Sequence, residues 1–196
     1  MRFLQQQEDD GVICLRYFDE SGFSLMPNVP YGWQAIGETC RIPCQQSKRQ
    51  NVLGFMGRQG EWFYHVQEGS VTTATVIEVF DAFSRNYYEE EFLKTGRLCF
   101  VPLDNASIHQ SAAFKARMED WLLRGVIPRY LPTYSPELNL IEILWRKIKY
   151  EWLPLQAFRD TLHFKYWLNK ILEAIGDEYQ IEFVHHKETL HKEGVI

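Results

Sequence analysis

The sequence predicts one α/β domain organised around a mixed β-sheet, and three observations indicate it. Residues 12–18 and 98–103 are nearly unbroken apolar runs, the pattern of strands buried on both faces. Segments with helical periodicity lie between the later strands, and a helical crossover favours parallel pairing. The 196 residues, with 13 Phe, 10 Tyr and 6 Trp, suffice for a single aromatic-rich core.

The remaining elements follow in order along the chain. Asp9 and Asp10 form a polar lead-in to the first strand, and residues 51–56 and 61–67 then predict a hairpin across the turn 57–60. Apolar residues at helical spacing predict helices at 76–87, 114–122, 141–152 and 155–175, with Pro154 between the last two, and a short strand is expected at 126–131. The predicted order is β-β-β-α-β-α-β-α with one further helix, a mixed five-stranded sheet flanked by helices.

Three acidic residues stand where α/β proteins place their active sites. Asp19 and Asp104 each follow an apolar strand, and parallel neighbouring strands would bring them to one sheet edge, about one strand spacing (~4.8 Å) apart. Two such carboxylates repel each other without a cation, so a divalent metal is expected. Glu142 lies in the first turn of a helix, whose dipole favours the ionised form. Glu20 either supports this site or is merely exposed.

These acids lie in three blocks that resemble the DDE transposases of the mariner superfamily, in particular the bacterial insertion-sequence branch. The blocks are residues 17–23 followed by 31–33 with Gly37, residues 103–109, and residues 134–145. They occur in the family order, with 37 residues between Asp104 and Glu142. The chain departs from the family pattern at Leu140, where proline is usual, and at Pro102 within a predicted central strand.

The resemblance implies an RNase H-like fold and a metal-dependent DNA endonuclease. Two Mg²⁺ ions are implied, for which Mn²⁺ substitutes; Asp19 would bridge both, while Asp104 and Glu142 hold one each. The implied reaction is hydrolysis of DNA at the element end, followed by attack of the freed 3′-hydroxyl on target DNA at TA dinucleotides. The chain would thus act in transposition of an insertion sequence.

The resemblance also implies partners. These are double-stranded DNA, at the element ends and at the target, and further copies of the chain in the active complex. Relatives carry a helix-turn-helix module before the catalytic domain, whereas about ten residues precede the first predicted strand here. We therefore expect that module in a separate subunit, in a frameshift fusion, or lost, with residues 1–175 as the catalytic domain and 176–196 as a tail.

Composition bears on location and on DNA binding. No apolar span of membrane-crossing length and no signal peptide pattern is present, so an intracellular protein without a membrane partner is expected. The family resemblance implies the bacterial cytoplasm or nucleoid. The formal net charge of −5 is unusual for a free-standing DNA-binding protein. Arg146, Lys147 and Lys149 are nevertheless clustered, and they either line a phosphate path or form a solvated helix face.

The candidate residues also have structural interpretations. Asp19 alone could be a turn former, and Glu142 stands three residues after Asn139, as in a capping box in which the Glu bonds back to the cap amide. Asn105 and His109 either contact substrate or fix the loop that carries them.

The cysteines divide into two pairs. Cys14 and Cys99 fall in predicted strands and are expected to be small buried hydrophobic residues. Cys40 and Cys44 could bind zinc together with a C-terminal histidine, but the C-x3-C spacing lacks a second pair and reduced thiols are preferred.

Two other functions are compatible with such a fold. One is a catalytically inactive or domesticated DNA-binding or assembly module, against which the three retained acids argue. The other is an RNase H-like nuclease acting on RNA in hybrids, against which the block 135–142 argues.

Overall fold

The computed structural model describes residues 1–26, 35–37, 49–133, 135–181 and 183. The strands in these ranges are β1 (Ile13–Leu15), β2 (Tyr17–Phe23), β3 (Gln50–Met56), β4 (Trp62–Glu68), β5 (Leu98–Leu103) and β6 (Val126–Tyr130). The α-helices are α1 (Arg2–Asp9), α2 (Thr73–Tyr87), α3 (Leu93–Thr95), α4 (Ala112–Leu123), α5 (Ile141–Lys147) and α6 (Thr161–Glu173). No helix of this part of the chain has both the length and the apolar character needed to cross a bilayer.

The strands form two sheets that share one stretch of chain. β1, β5 and β6 are parallel in the order β1-β5-β6, and β2, β3 and β4 are antiparallel in the order β2-β3-β4. Only Arg16 separates β1 from β2, so the chain passes directly from the parallel sheet into the antiparallel one. The predicted mixed α/β fold is confirmed, but the predicted five-stranded sheet is replaced by two three-stranded sheets, because the first predicted strand is divided between them.

The first strand extends further than the sequence indicated. Residues 20–23 continue β2 and pair with β3, beyond the apolar run 12–18 that predicted the strand. Gly22 lies opposite Asn51, and the guanidinium of Arg49 occupies the space that a Cβ on Gly22 would need. Gly22 therefore leaves room for the Arg49 side chain, and it does not turn the backbone. Asp19 is consequently inside β2, opposite Gly54 of β3.

Pro102 is accommodated in β5 because its nitrogen faces no ladder partner. The Cys99 amide donates to the Gly125 carbonyl at 2.7 Å on the β6 side, and the Phe100 carbonyl accepts from the Arg16 amide at 3.1 Å on the β1 side. This alternation directs the Pro102 nitrogen toward β1, beyond the last β1–β5 pair, Leu15 with Phe100.

Helices cover both faces of the strands. Tyr17 packs in a core with α5 and α6, whereas its neighbour Phe18 packs in a second core with α2 and α4. Side chains alternate along a strand, so Asp19 lies on the same face as Tyr17 and is directed toward α5. Cys14 and Cys99 are buried and lie opposite each other, which confirms the interpretation of that pair.

Several helix predictions need correction. Residues 2–9 form α1, so Asp9 ends a helix and does not lead into a strand; it pairs with Arg58 at 2.5 Å. The helix predicted at 155–175 is interrupted, because Leu155–Arg159 is a 3₁₀ turn and Asp160 caps α6 by accepting from the His163 amide at 2.9 Å. Leu162 is consequently 77% exposed.

The remaining helices agree in position and differ in detail. α5 gives way to a π-helical turn at Ile148–Trp152, within the segment predicted as one helix. Leu122 of α4 is half exposed, although its spacing indicated a core position. After α6, Tyr179 forms an isolated β-bridge with Ile175.

Candidate active site

Asp19 is held at the α5 face of β2 by a tryptophan. The Trp145 indole Nε1 donates a hydrogen bond to Asp19 Oδ2 at 3.0 Å. The pKa of Asp19 is raised to about 8, chiefly by burial and also by the nearby carboxylates of Glu20 and Glu142, while hydrogen bonds from the Glu20 backbone and Trp145 oppose the shift. An acid in this state takes up a proton unless a cation replaces it.

Asp104 follows β5 directly and has a different environment. Its Oδ1 accepts from the Ala106 amide at 3.0 Å and contacts His109 Nδ1 at 2.7 Å. The hydrogen bond from His109 lowers the pKa of Asp104, although partial burial opposes it. Both contacts use Oδ1, which leaves Oδ2 without a hydrogen bond to any described residue.

His109 lies beneath Asp104, and its side chain is only 1% exposed. Its Nε2 is 3.5 Å from Glu20 Oε2. Burial alone would lower the pKa of His109, but the hydrogen bond with Asp104 and the contact with Glu20 outweigh it and raise the pKa to about 9. His109 therefore lies between two carboxylates as a cation and does not line the cleft.

Glu142, the third acid of the site, lies in the first turn of α5. Its side chain is exposed and makes no hydrogen bond or ion pair within the described residues. The capping box is not formed: the N-cap residue is Leu140, without a side-chain cap bond, and Asn139 Nδ2 donates to the Phe18 carbonyl at 3.0 Å. Asn139 thus anchors the start of α5 to β2, and the Glu142 carboxylate is left free.

The three acids line one cleft of about 310 Å³. Asn105 and Asn139 line it as well, whereas Glu20 and His109 lie outside its lining. Asn105 also fixes the loop after β5, because its Nδ2 donates to the Leu131 carbonyl at 2.6 Å. The structure therefore brings together the three acids that the sequence singled out.

The basic residues of α5 and the turn after it differ from one another. Lys147 pairs with Glu151 at 2.6 Å, as expected of a solvated helix face, and Arg146 is exposed. Lys149 lies over the Phe23 ring, 5.3 Å from its centroid. Burial and the charge of Arg49 lower the pKa of Lys149, while Glu142 and Asp19 oppose that shift. Lys149 is thus the base of this group that lies beside the acids.

Sequence reasoning missed the role of Trp145, which it assigned to the core alone. Trp145 is indeed buried, and the signal that could have found its second role is its position three residues after Glu142, on the same side of α5. Several positions named from the sequence lie outside the described residues: 31–33, Tyr134, Cys40, Cys44 and the C-terminal histidines.

The donor set fits a hard divalent cation. All three carboxylates offer oxygen ligands. A bound cation would also offset the charges of Glu20 and Glu142, which disfavour the ionised form of Asp19. Within the described ranges, no three His, Cys, Asp or Glu side chains already converge closely enough to hold an ion. Binding would therefore have to draw the acids together across the cleft.

Comparison with known proteins defines the class. The family model of the DDE superfamily endonucleases matches residues 14–165. The fold is similar to that of the Mos1 mariner paired-end complex with Mn, at 17% identity over 88% of this chain and 52% of that chain, with a TM-score of 0.63. It is also similar to the catalytic domain of Mos1 mariner transposase, at 16% identity over 88% and 76%, with a TM-score of 0.58. None of the curated proteins compared with the chain matches it.

The fold and the cleft thus define an RNase H-like protein with an acid-lined site. The chain belongs to the DDE superfamily endonucleases, because the family model covers most of its length. It spans about half the length of the Mos1 chain in the paired-end complex.

Proposed function

We propose that this chain is the catalytic domain of a DDE transposase of the bacterial insertion-sequence branch. It would cleave DNA at element ends and transfer the 3′-hydroxyl to target DNA at TA sites. The observation that supports this most directly is the cleft shared by Asp19, Asp104 and Glu142, which come from two strands and a helix start distant in sequence. All three acids lie within residues 14–165, the range that the model of the DDE superfamily endonucleases matches.

Divalent cations would be held by Asp19, Asp104 and Glu142, with Mg²⁺ as the physiological ion and Mn²⁺ as a substitute. When bound, two such ions supply activation of the attacking oxygen and stabilisation of the leaving oxygen. Structures of Mos1 transposase in complexes with Mg and with Mn support this choice. Trp145 would orient the Asp19 carboxylate, and the contacts to Oδ1 of Asp104 would leave Oδ2 for the ion.

The DNA partner would approach along α5 and the turn that follows it. Lys149 is the base beside the acids, and Arg146 is exposed on the same segment. Phosphate contacts of this kind position the strand without reading its sequence. Recognition of element ends, pairing of two subunits and a bacterial cytoplasmic location are part of the proposal and follow from the family resemblance.

The test is nicking of supercoiled DNA in Mg²⁺ or Mn²⁺ by the wild type and by Asp19→Ala, Asp104→Ala and Glu142→Ala. We expect nicking by the wild type and its loss in all three variants. A matched control is Glu78→Ala, which removes an exposed carboxylate from α2. Metal binding without nicking by the folded wild type, with or without an added DNA-binding subunit, would favour a non-enzymatic assembly module.

A further inference from the structure

The hydrogen-bonded ladder beside β5 ends before it reaches Asp19 and Asp104. The β1–β5 ladder ends at the pair Leu15 and Phe100, and the last backbone bond between them runs from the Arg16 amide to the Phe100 carbonyl at 3.1 Å. From Tyr17 onward the chain pairs with β3 instead. No ladder therefore sets the position of Asp19 relative to Asp104.

A buried imidazole connects β2 with the end of β5 beyond this ladder. His109 Nδ1 contacts Asp104 Oδ1 at 2.7 Å, and Nε2 faces Glu20 Oε2 at 3.5 Å. Glu20 follows Asp19 directly in β2, so one ring connects the end of β5 with the middle of β2. In the described part of the chain, Glu20 Oε2 and His109 Nε2 are buried and have no hydrogen bond to any other group.

The ring itself is fixed on several sides. It packs against Phe18 with a centroid distance of 5.6 Å and against Phe114 at 6.0 Å. The Tyr130 hydroxyl donates to the His109 carbonyl at 2.7 Å, which attaches the loop to the end of β6. An aromatic core and a strand end thus hold His109, so it can impose a distance on the acids it contacts.

We propose that His109 and Glu20 form a strut that sets the spacing of the two metal-ligating aspartates, with His109 as a positioning residue. The strut occupies Oδ1 of Asp104 and holds β2 beside the end of β5, which keeps Asp19 and the other Asp104 oxygen facing the cleft. This inference rests on the proposed function, in which Asp19 and Asp104 bind the metal. It gives Glu20 a positioning role on the face of β2 opposite to the face that carries Asp19.

Two substitutions of His109 separate its contacts. The amide nitrogen of Asn lies as many bonds from Cβ as Nδ1 does, so His109→Asn keeps a donor for Asp104 and loses the one for Glu20. The amide nitrogen of Gln corresponds to Nε2, so His109→Gln keeps the donor for Glu20 and loses the one for Asp104. Glu20→Gln removes the carboxylate at the far end of the strut.

The experiment measures Mn²⁺ and Mg²⁺ binding by calorimetry and by the rise in unfolding temperature with metal, beside the metal dependence of nicking. Loss of a group that orients a metal ligand costs roughly 10- to 100-fold in metal affinity, and we expect shifts in that range for both His109 variants and for Glu20→Gln. The double variant Glu20→Gln with His109→Asn should bind metal no more weakly than either single variant, because both substitutions break the same contact.

The control is His163→Asn, since His163 Nδ1 contacts Asp160 Oδ2 at 2.8 Å on the partly exposed start of α6, away from the cleft. Variants that lower the unfolding temperature equally at every metal concentration, with unchanged binding midpoints, would overturn the strut. Additive effects in the double variant would overturn it as well. A wild type that binds metal without nicking, with weakened binding in the variants, would reject the proposed function and support the strut.

Discussion

Among single residues, Asp19 has the strongest electrostatic perturbation in the cleft. Its pKa is raised to about 8 by burial and by neighbouring carboxylates, well above that of an unfolded aspartate. The folded protein therefore binds this proton more tightly than the unfolded chain. The resulting stability is fully present below the unfolded pKa and is lost as the pH rises through about 8.

Asp19→Asn should therefore stabilise the metal-free protein at neutral and alkaline pH while abolishing metal-dependent nicking. The Asp19 contribution to the free energy of unfolding should fall in the wild type by up to about 1.4 kcal/mol per pH unit between the two pKa values, and this fall should be absent in the variant. Urea unfolding in a chelator across that range measures it. Parallel profiles for the two proteins would show that Asp19 ionises normally in the fold.

Trp145 acts on the same carboxylate through one hydrogen bond. Trp145→Phe keeps the packing against Phe23 and Trp62 but removes the donor to Asp19 Oδ2. Since that bond lowers the pKa of Asp19, its loss should raise the pKa and shift the rise of the pH–nicking profile to more alkaline pH. A hydrogen bond to a charged group contributes about 1.5–3 kcal/mol, so the shift should be about one pH unit or more.

Trp62→Phe is the matched control for that experiment. The Trp62 indole donates to the Leu172 carbonyl at 3.1 Å, and its ring also packs against Trp145. Trp62→Phe therefore removes an indole hydrogen bond of the same kind, but that bond does not involve an acidic residue. An equal alkaline shift in both variants would contradict the assignment of Trp145.

At the scale of elements, the sequence predicted the strands and helices that a local residue pattern determines. The hairpin, α2, β5 and β6 appear within a few residues of their expected positions, because alternation and helical spacing are local signals. The division of the first strand at Arg16 could not be predicted in this way, since it depends on which strand lies alongside. Asp19 was found from its acid–strand pattern, although its place inside β2 follows from the change of partner.

The pairing of β2 with β3 makes Gly54 a functional position. Gly54 lies opposite Asp19, and a Cβ there would stand 2.6 Å from a ring carbon of Trp62 and 3.1 Å from one of Trp145. Gly54→Ala should therefore destabilise the protein by about 1–3 kcal/mol, as overpacking does, and should reduce nicking by displacing Trp145 from Asp19. Denaturant unfolding and the nicking assay measure the two effects.

Gly22→Ala provides the comparison in the neighbouring strand. The added Cβ there meets only the flexible end of the Arg49 side chain among its nearest contacts, so a smaller loss of stability is expected. Equal losses in the two variants would indicate a general cost of replacing strand glycines, independent of Trp145.

The segment from α5 into the turn after it should contribute unequally to DNA binding. Lys149→Ala should lower the slope of log affinity against log salt by about one, the effect of losing one phosphate contact. Lys147→Ala should change it less, because Lys147 is already paired with Glu151. Anisotropy of a labelled duplex at several salt concentrations measures both slopes. A larger change for Lys147 would place the DNA on the opposite side of the helix.

For the whole molecule, the acidic charge and the proposed DNA ligand are reconciled by metal. The formal net charge is −5, and three carboxylates line the cleft into which a phosphate backbone would have to enter. Without cations the charged acids of the cleft repel the phosphates, and Asp19 adds to this repulsion above its pKa of about 8. Bound divalent ions reverse the local charge. DNA affinity of the wild type should therefore rise when Ca²⁺ or Mg²⁺ is added.

Neutralising the acids should have the same effect without metal. The triple variant Asp19→Asn, Asp104→Asn and Glu142→Gln should bind duplex DNA more tightly than the wild type in a chelator and should no longer respond to divalent ions. Above pH 8, where Asp19 is also charged, a control with the same change in net charge replaces the exposed acids Glu78, Glu89 and Glu119 by glutamine. If this control gains as much affinity as the site variant, net charge governs DNA binding; if only the site variant gains, the phosphate backbone enters the cleft.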